Sequence, residues 1–264
     1  MTRWLPIFAP LRETNWGYFE IASINNEDDN MARLKRKFLP EKKGLPDLYE
    51  AARIKMGELG SFYHKIKVHG VWTTEMHDHP LPIWQLIYPR LPADISDFKC
   101  LDIGCNSGFY SMILAHNGAD VLGIDINQTG LDVLAQATWI ESILKTGAKF
   151  RNIDITKLPK SHNKTYDLAL MLGVYHHLPD TDAALKKVKA CLKKGGTLFF
   201  GCETNRYGPT EYYKEDSAEY ANDPYCYRIA TPEDIIADLE ENGFEMVEEI
   251  GVNTRLFYGE FRKK

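Results

Sequence analysis

Apolar and polar positions along this chain fall into two regimes. From Phe98 onward, short apolar runs that end in glycine or aspartate alternate with longer amphipathic stretches. Lys99-Cys100-Leu101-Asp102-Ile103-Gly104 is an apolar run closed by glycine, the pattern of a strand buried in a parallel sheet. A helix is predicted over 107–117, with Gly118 as its stop. Strand 121–125, helix 128–145 and strands 150–155 and 166–172 follow. The helix predicted over 181–192 is basic at its C-terminal end, which suits its dipole. Gly195-Gly196 reads as a turn into a strand over 197–201. Thr231 as N-cap and Pro232 at the first helical position open a helix over 232–241, which Asn242-Gly243 ends. Strands over 245–252 and 254–261 are separated by a short loop and are therefore antiparallel. Such strand-helix alternation predicts an α/β fold: a doubly wound, mostly parallel seven-stranded sheet with an antiparallel hairpin at one edge.

Residues 1–95 are different in texture. Four of the five tryptophans lie there (Trp4, Trp16, Trp72 and Trp84) among prolines and charges. The basic run at 31–37 reads as a solvated helical face. An amphipathic helix is predicted over 48–59, stopped by Gly60, and 66–73 alternates weakly as a short strand or hairpin. The expected organisation is an N-terminal cap over 1–95 and a core over 96–264 that carries an insertion at 205–228.

Composition narrows the function classes. Across 264 residues, 44% are hydrophobic and 26% charged, enough for a full core and too apolar for a disordered chain. The net charge of −5 supplies no global footprint for nucleic acid. No run approaches the ~20 apolar residues of a membrane span. The N-terminus is a poor signal peptide. Five cysteines without a C-x-x-C pair argue against a disulfide framework or zinc cluster, so a reducing cytoplasm is the expected location.

The most informative segment is Leu101-Asp102-Ile103-Gly104-Cys105-Asn106-Ser107-Gly108. A strand ends, glycines turn the chain and a helix begins, so backbone can approach a ligand closely and helix N–H groups are free. Asp125 follows Gly104 by 21 positions, at the end of the second core strand, where a carboxylate can accept from ribose hydroxyls. A dinucleotide turn would read G-x-G-x-x-G and hold a pyrophosphate. Here the pattern is G-x-x-x-G with Asp102 just ahead of it, better suited to an ammonium. A ligand with both a ribose and an ammonium, such as S-adenosylmethionine (SAM), fits best.

These residues resemble the first motif of the class I SAM-dependent methyltransferases, whose fold is Rossmann-like. The resemblance spans about 95–261 and implies that Gly104 and Gly108 lie against the amino-acid part of the cofactor and Asp125 binds the ribose. It further implies an adenine contact at Asp154. Asp102, Cys105, Asn106, Ile126, Ile155 and Leu172 complete the implied cofactor set. A narrower resemblance is to the tRNA wobble-uridine carboxymethyltransferases, whose donor is carboxy-SAM. It rests on Phe62-Tyr63-His64-Lys65, His69-Gly70-Val71, Gly173-Val174 and the segment over 231–244. It implies that Lys65 pairs with the donor's extra carboxylate. In this chain, however, Tyr175 follows Val174 directly, where that family has one residue between.

Methyl transfer needs alignment of acceptor and donor, and a base where the acceptor carries a proton. His176 and His177, at the carboxyl edge of the sheet, are the candidate catalytic pair, with His176 expected to be the better base. His64, His69, His77, Asp78 and His79 cluster in sequence; a pocket lid is favoured there over metal binding, and no metal is expected. Tyr63, Lys65, Trp72, Tyr175, Arg206, Tyr212 and Tyr227 are the candidate substrate contacts, the last three from the tyrosine-rich insertion. The favoured partner is a small-molecule acceptor methylated on O or N. A tRNA acceptor, a homodimer and an inactive SAM-binding partner protein are the alternatives.

Overall fold

The computed structural model describes residues 39, 46–75, 80–127, 130–214, 223, 225–252 and 255–264. Trp4, Trp16, the basic run at 31–37, His77, Asp78, His79 and Tyr220 lie outside the described residues.

The described part of the cap holds helix α1 (Pro46–Leu59), a hairpin of β1 (Lys67–Val68) and β2 (Val71–Trp72), and helix α2 (Pro80–Ile87). The core continues with β3 (Lys99–Ile103), α3 (Phe109–His116), β4 (Asp120–Asp125), α4 (Val133–Leu144), β5 (Lys149–Asn152) and β6 (Tyr166–Leu172). After a 3-10 turn at Tyr175–His177 come α5 (Thr181–Cys191), β7 (Leu192–Glu203), the paired short strands β8 (Glu211–Tyr212) and β9 (Arg228–Ile229), α6 (Pro232–Glu241), β10 (Phe244–Val252) and β11 (Leu256–Lys263).

Seven strands form one sheet in the order β10-β11-β7-β6-β3-β4-β5. The pairs among β7, β6, β3, β4 and β5 are parallel, while β11 runs antiparallel to both β7 and β10. The expected doubly wound sheet with an antiparallel edge hairpin is therefore present.

Successive strand residues face opposite sides and sort into two cores. Cys100, Leu168, Leu170 and Phe199 join the core under α1–α4, together with Met56, Trp84 and Ile113. Leu101, Ile103, Ala169, Met171 and Phe200 join the core under α5 and α6, with Leu185, Val188, Ile235 and Leu239. The described cap thus shares its core with one face of the sheet. Trp84, 1% exposed, is part of that core.

Three local expectations are corrected. Helix α4 starts at Val133, because the Asp132 side chain accepts from Ala135 N–H and caps it there. The segment Lys193-Lys194-Gly195-Gly196 lies inside strand β7, with an irregular register between Tyr166 and Leu168 on its neighbour. Gly195, at φ 71°, bends the strand there, and the helix passes into it without a separate turn. Helix α2 was not expected, since its prolines disguised a short apolar helix.

Candidate active site at the carboxyl edge of the sheet

The turn after β3 is held to β4. Gly104 and Cys105 N–H both donate to the Ile124 carbonyl, at 2.8 and 3.0 Å. Gly104, Asn106 and Gly108 have φ of 69°, 49° and 85°. The space beside the two glycines is filled by protein. A Cβ on Gly104 would stand 2.2 Å from Val174 Cγ2, and one on Gly108 2.7 Å from Phe150 Cζ. Their smallness therefore serves close packing of the turn as well as its left-handed backbone.

Asp125 is the organising acid. Its Oδ2 accepts from Asn106 N–H at 2.9 Å, and its Oδ1 from Ile126 and Asn127 N–H at 2.7 and 3.1 Å. Three backbone donors hold the carboxylate in place, and its remaining lone-pair capacity is what a ribose can use. Ser107 Oγ is fully buried at the same turn and has no partner among the described residues. A cleft of about 590 Å³ opens next to this edge, between Lys55 and Leu59 of α1, Trp139 of α4, and Asn127, Phe150 and Asn152. A smaller one, about 270 Å³, lies at the opposite, amino edge, lined by Arg90, Asp167 and Lys193 and by none of the turn's residues.

Other expected cofactor positions are placed less directly. Asp102 is 2% exposed and accepts from Ser111 Oγ at 2.6 Å. Burial pushes its carboxyl up to about 7, with the Ser111 hydrogen bond opposing and the nearby Asp125 charge adding. A carboxyl so enclosed braces β3 against α3 and does not present itself to an ammonium. Cys105 Sγ is buried beside Val133 and Leu134, and Ile155 is buried in the α5 face, so neither side chain faces the turn's opening. Asp154 Oδ1 caps a 3-10 turn through Thr156 N–H and Oγ1, at 2.7 and 2.8 Å. Ile126 is 45% exposed and stays available to stack on a base. Leu172, half-buried at the end of β6, packs toward Gly201 and Tyr258.

The two histidines differ sharply. His176 is 6% exposed, and its Nδ1 has no partner among the described residues. Burial, and then the neighbouring His177, push its imidazole down to about 3. So weak a proton acceptor corrects the expectation that His176 is the better base. His177 is half-buried, with Nδ1 3.1 Å from the Tyr225 carbonyl and 3.6 Å from Asp223 Oδ2.

The candidate substrate residues separate in space. Tyr63, on the cap, is 59% exposed; burial around its hydroxyl, and then the Glu203 charge at the end of β7, push that hydroxyl up, and burial, then Tyr63, Cys202 and Glu203, push up Tyr258 of β11. Lys65 and Lys67 both lie over the Trp72 ring, at 5.1 and 5.6 Å. Tyr175 points the other way, into the α5–α6 core against Phe200, with its hydroxyl on Asp238 and Arg228. It is a framework residue, because Val174 before it packs on Gly104 and sends the next side chain to the far face. Arg206 pairs through Nη2 with Glu249 at 3.0 Å, while its buried Nε has no partner among the described residues. Tyr212, 73% exposed, covers Arg228, and Tyr227 contributes its backbone to His176. Sequence reasoning did not single out Glu203, Tyr258 or Asp223. His64, read there as part of a pocket lid, accepts through its Nδ1 from Phe109 N–H at 3.4 Å, at the start of α3. Among the described residues no group of three His, Cys, Asp or Glu is placed to hold a metal, and no helix is long and apolar enough to cross a membrane.

Residues 101–200 match the methyltransferase domain family. The ubiquinone biosynthesis O-methyltransferase of Acinetobacter baylyi is 26% identical over 161 residues, 59% of this chain and 66% of its own length. The tRNA U34 carboxymethyltransferase of Campylobacter hominis is 33% identical over 107 residues, 40% of this chain and 36% of its own. The chain thus spans just under two thirds of the first relative and about a third of the second. The crystal structure of the Burkholderia thailandensis 1,6-didemethyltoxoflavin-N1-methyltransferase, 16% identical, superposes with a TM-score of 0.57 over 97% of this chain and 100% of that one. That likeness establishes the fold. The fixed Asp125 carboxylate, the Ser107 hydroxyl without a partner among the described residues and the left-handed turn fit SAM by their donor and acceptor chemistry. Residues 101–200 are similar to the methyltransferase domain family, and with the strands and helices around them they build the Rossmann-like fold also seen in solved SAM-dependent methyltransferases.

Proposed function

We propose that this chain transfers a methyl group from SAM to an oxygen or nitrogen of a small-molecule acceptor. The observation that carries the reading is the Asp125 carboxylate, pre-set by three backbone N–H groups at the end of β4 and tied to the turn after β3. When bound, SAM supplies an electrophilic methyl group. The chain's own residues then have three tasks. Asp125 holds the ribose. The turn from Gly104 to Gly108 and the start of α3 hold the amino-acid end. His177, together with Tyr63, Glu203 and Tyr258, faces the acceptor. A cytoplasmic location belongs to this reading; all five cysteines are free and buried, which suits a reducing compartment.

A second reading, carboxymethylation of a tRNA with carboxy-SAM, is favoured by the stretch shared with the Campylobacter protein and by Lys65 over Trp72. Mass spectrometry of the nucleoside that co-purifies with the protein, followed by calorimetric titration, decides between them. SAM or its demethylated product, binding in the micromolar range, supports methyl transfer. Carboxy-SAM together with salt-sensitive tRNA binding supports the second reading. A protein that takes up neither overturns both. Size-exclusion chromatography on the same sample tests the homodimer alternative.

A further inference from the structure

The insertion after β7 returns to the 3-10 turn at Tyr175–His177 and grips it at each of its three residues. Arg228 Nη1 donates to the Tyr175 hydroxyl at 2.9 Å, and Tyr227 N–H donates to the His176 carbonyl at 2.8 Å. His177 Nδ1 faces the Tyr225 carbonyl at 3.1 Å. A carbonyl only accepts, so the ring nitrogen facing it carries the hydrogen, and the lone pair is left on Nε2. Asp223 stands at the same corner. Its Oδ2 is 3.6 Å from His177 Nδ1, and its Oδ1 accepts from Tyr225 N–H at 2.9 Å. One carboxylate thus holds the residue whose carbonyl faces His177 and sets a negative charge beside the ring. The His176 ring, 3.9 Å away between centroids, packs against His177 on another side. Thr204 Oγ1, one residue past β7, donates to the Ala230 carbonyl at 2.8 Å, which ties the returning insertion to the carboxyl edge of β7.

We propose that Asp223 is the positioning residue of a general base, His177, whose Nε2 takes the acceptor's proton. The inference rests on the methyltransferase reading and deepens it. As the acceptor oxygen or nitrogen bonds the methyl carbon, its bond to hydrogen breaks, the proton goes to Nε2, and sulfur keeps the electron pair of the broken S–C bond. The positive charge that begins on the sulfonium ends on the His177 imidazolium, next to Asp223. A base of this kind is useful only for an acceptor still protonated at neutral pH. The substrate class is therefore a hydroxyl or N–H compound, whereas a carboxylate acceptor would gain nothing from it.

Histidine ¹⁵N NMR on the full chain tests this without any acceptor. The His177 signal is assigned by its loss in His177→Gln. The neutral ring is expected to carry its hydrogen on Nδ1 by at least about tenfold over Nε2. Asp223→Ala is expected to lower that ratio about tenfold, and Asp223→Asn less, because the amide oxygen still accepts from Tyr225 N–H. SAM affinity is expected to stay within about threefold in both variants. Hydrogen on Nε2 in the unaltered protein, or an unchanged ratio in both variants, overturns the proposal. A large loss of SAM affinity in Asp223→Asn overturns it as well, since Asp223 would then serve the cofactor. Failure of the unaltered protein to bind SAM removes the methyltransferase reading, while the tautomer ratio remains readable.

Discussion

The backbone N–H of Asn106 donates to Oδ2 of Asp125 at 2.9 Å, so the turn after β3 and the acid that ends β4 are one hydrogen-bonded unit. In the proposed reading, removing the carboxylate deletes the ribose contact and loosens the turn at once. Charge-assisted hydrogen bonds are worth about 1.5–3 kcal/mol each. Asp125→Ala is therefore expected to weaken SAM binding by at least about thirtyfold in calorimetric titration. Unchanged affinity would mean that the ribose lies elsewhere.

Gly104 combines a left-handed φ of 69° with the Val174 side chain 2.2 Å from where a Cβ would stand. Gly104→Ala is expected to cost about 2–4 kcal/mol in urea unfolding, from backbone strain plus the clash. Adding Val174→Ala should recover the clash but not the strain. Equal losses in the single and double variants would show that Val174 is not what makes glycine necessary.

Asp102 gives a pH signature. Its folded carboxyl is raised to about 7 by burial, against about 3.9 in an unfolded chain. A raised carboxyl contributes stability that is fully present below about pH 4 and is lost as pH rises through about 7. Asp102→Asn keeps the shape and cannot ionise. It is expected to match the parent near pH 4 and to exceed it by a few kcal/mol at pH 8. Urea unfolding at both values is the check; a pH-independent difference would mean that Asp102 ionises freely in the fold.

His176 has the opposite sign. Burial and then His177 depress it to about 3, so its contribution is present above about pH 6.5 and is lost as pH falls toward 3. His176→Leu also removes a buried Nδ1 that has no partner among the described residues. The variant is expected to denature less steeply between pH 6.5 and 4 than the parent, followed by circular dichroism. Parallel acid curves would place His176 in water.

Arg228 pairs with Asp238 at 2.5 Å, with side chains 13% and 27% exposed, and so fastens the insertion to α6. Breaking such a pair leaves a partly buried charge alone. Arg228→Met is expected to cost about 2–3 kcal/mol. The double variant with Asp238→Asn should cost less than the sum of the two singles. Strict additivity in thermal melts would mean that the pair contributes no coupling.

Much of the core was legible because its signals are local. Apolar runs along Lys99–Ile103 and Tyr166–Leu172 placed strands buried on both faces, and Thr231-Pro232 marked a helix start that the structure shows, with Thr231 Oγ1 accepting from Asp234 N–H. The same locality misled at Gly195-Gly196, where two glycines read as a turn but bend a continuous strand. It misled again at Tyr175-His176-His177, where side-chain direction follows from Val174 seating on Gly104, far away in sequence. A tyrosine read as a pocket wall became core, and the histidine read as the better base was buried.

The sequence by itself determined the order of the main core strands and helices, the glycine turn after β3 and the acid at the end of β4, because each depends on residues a few positions apart or on a repeating period. Only the tertiary structure decided which parts of the cap and the insertion meet that edge. His64 reaches Phe109 across 45 positions, and His177 reaches Tyr225 across 48. No period or local propensity encodes such pairs; they arise when two opposed cores sort the side chains of every strand to one face or the other.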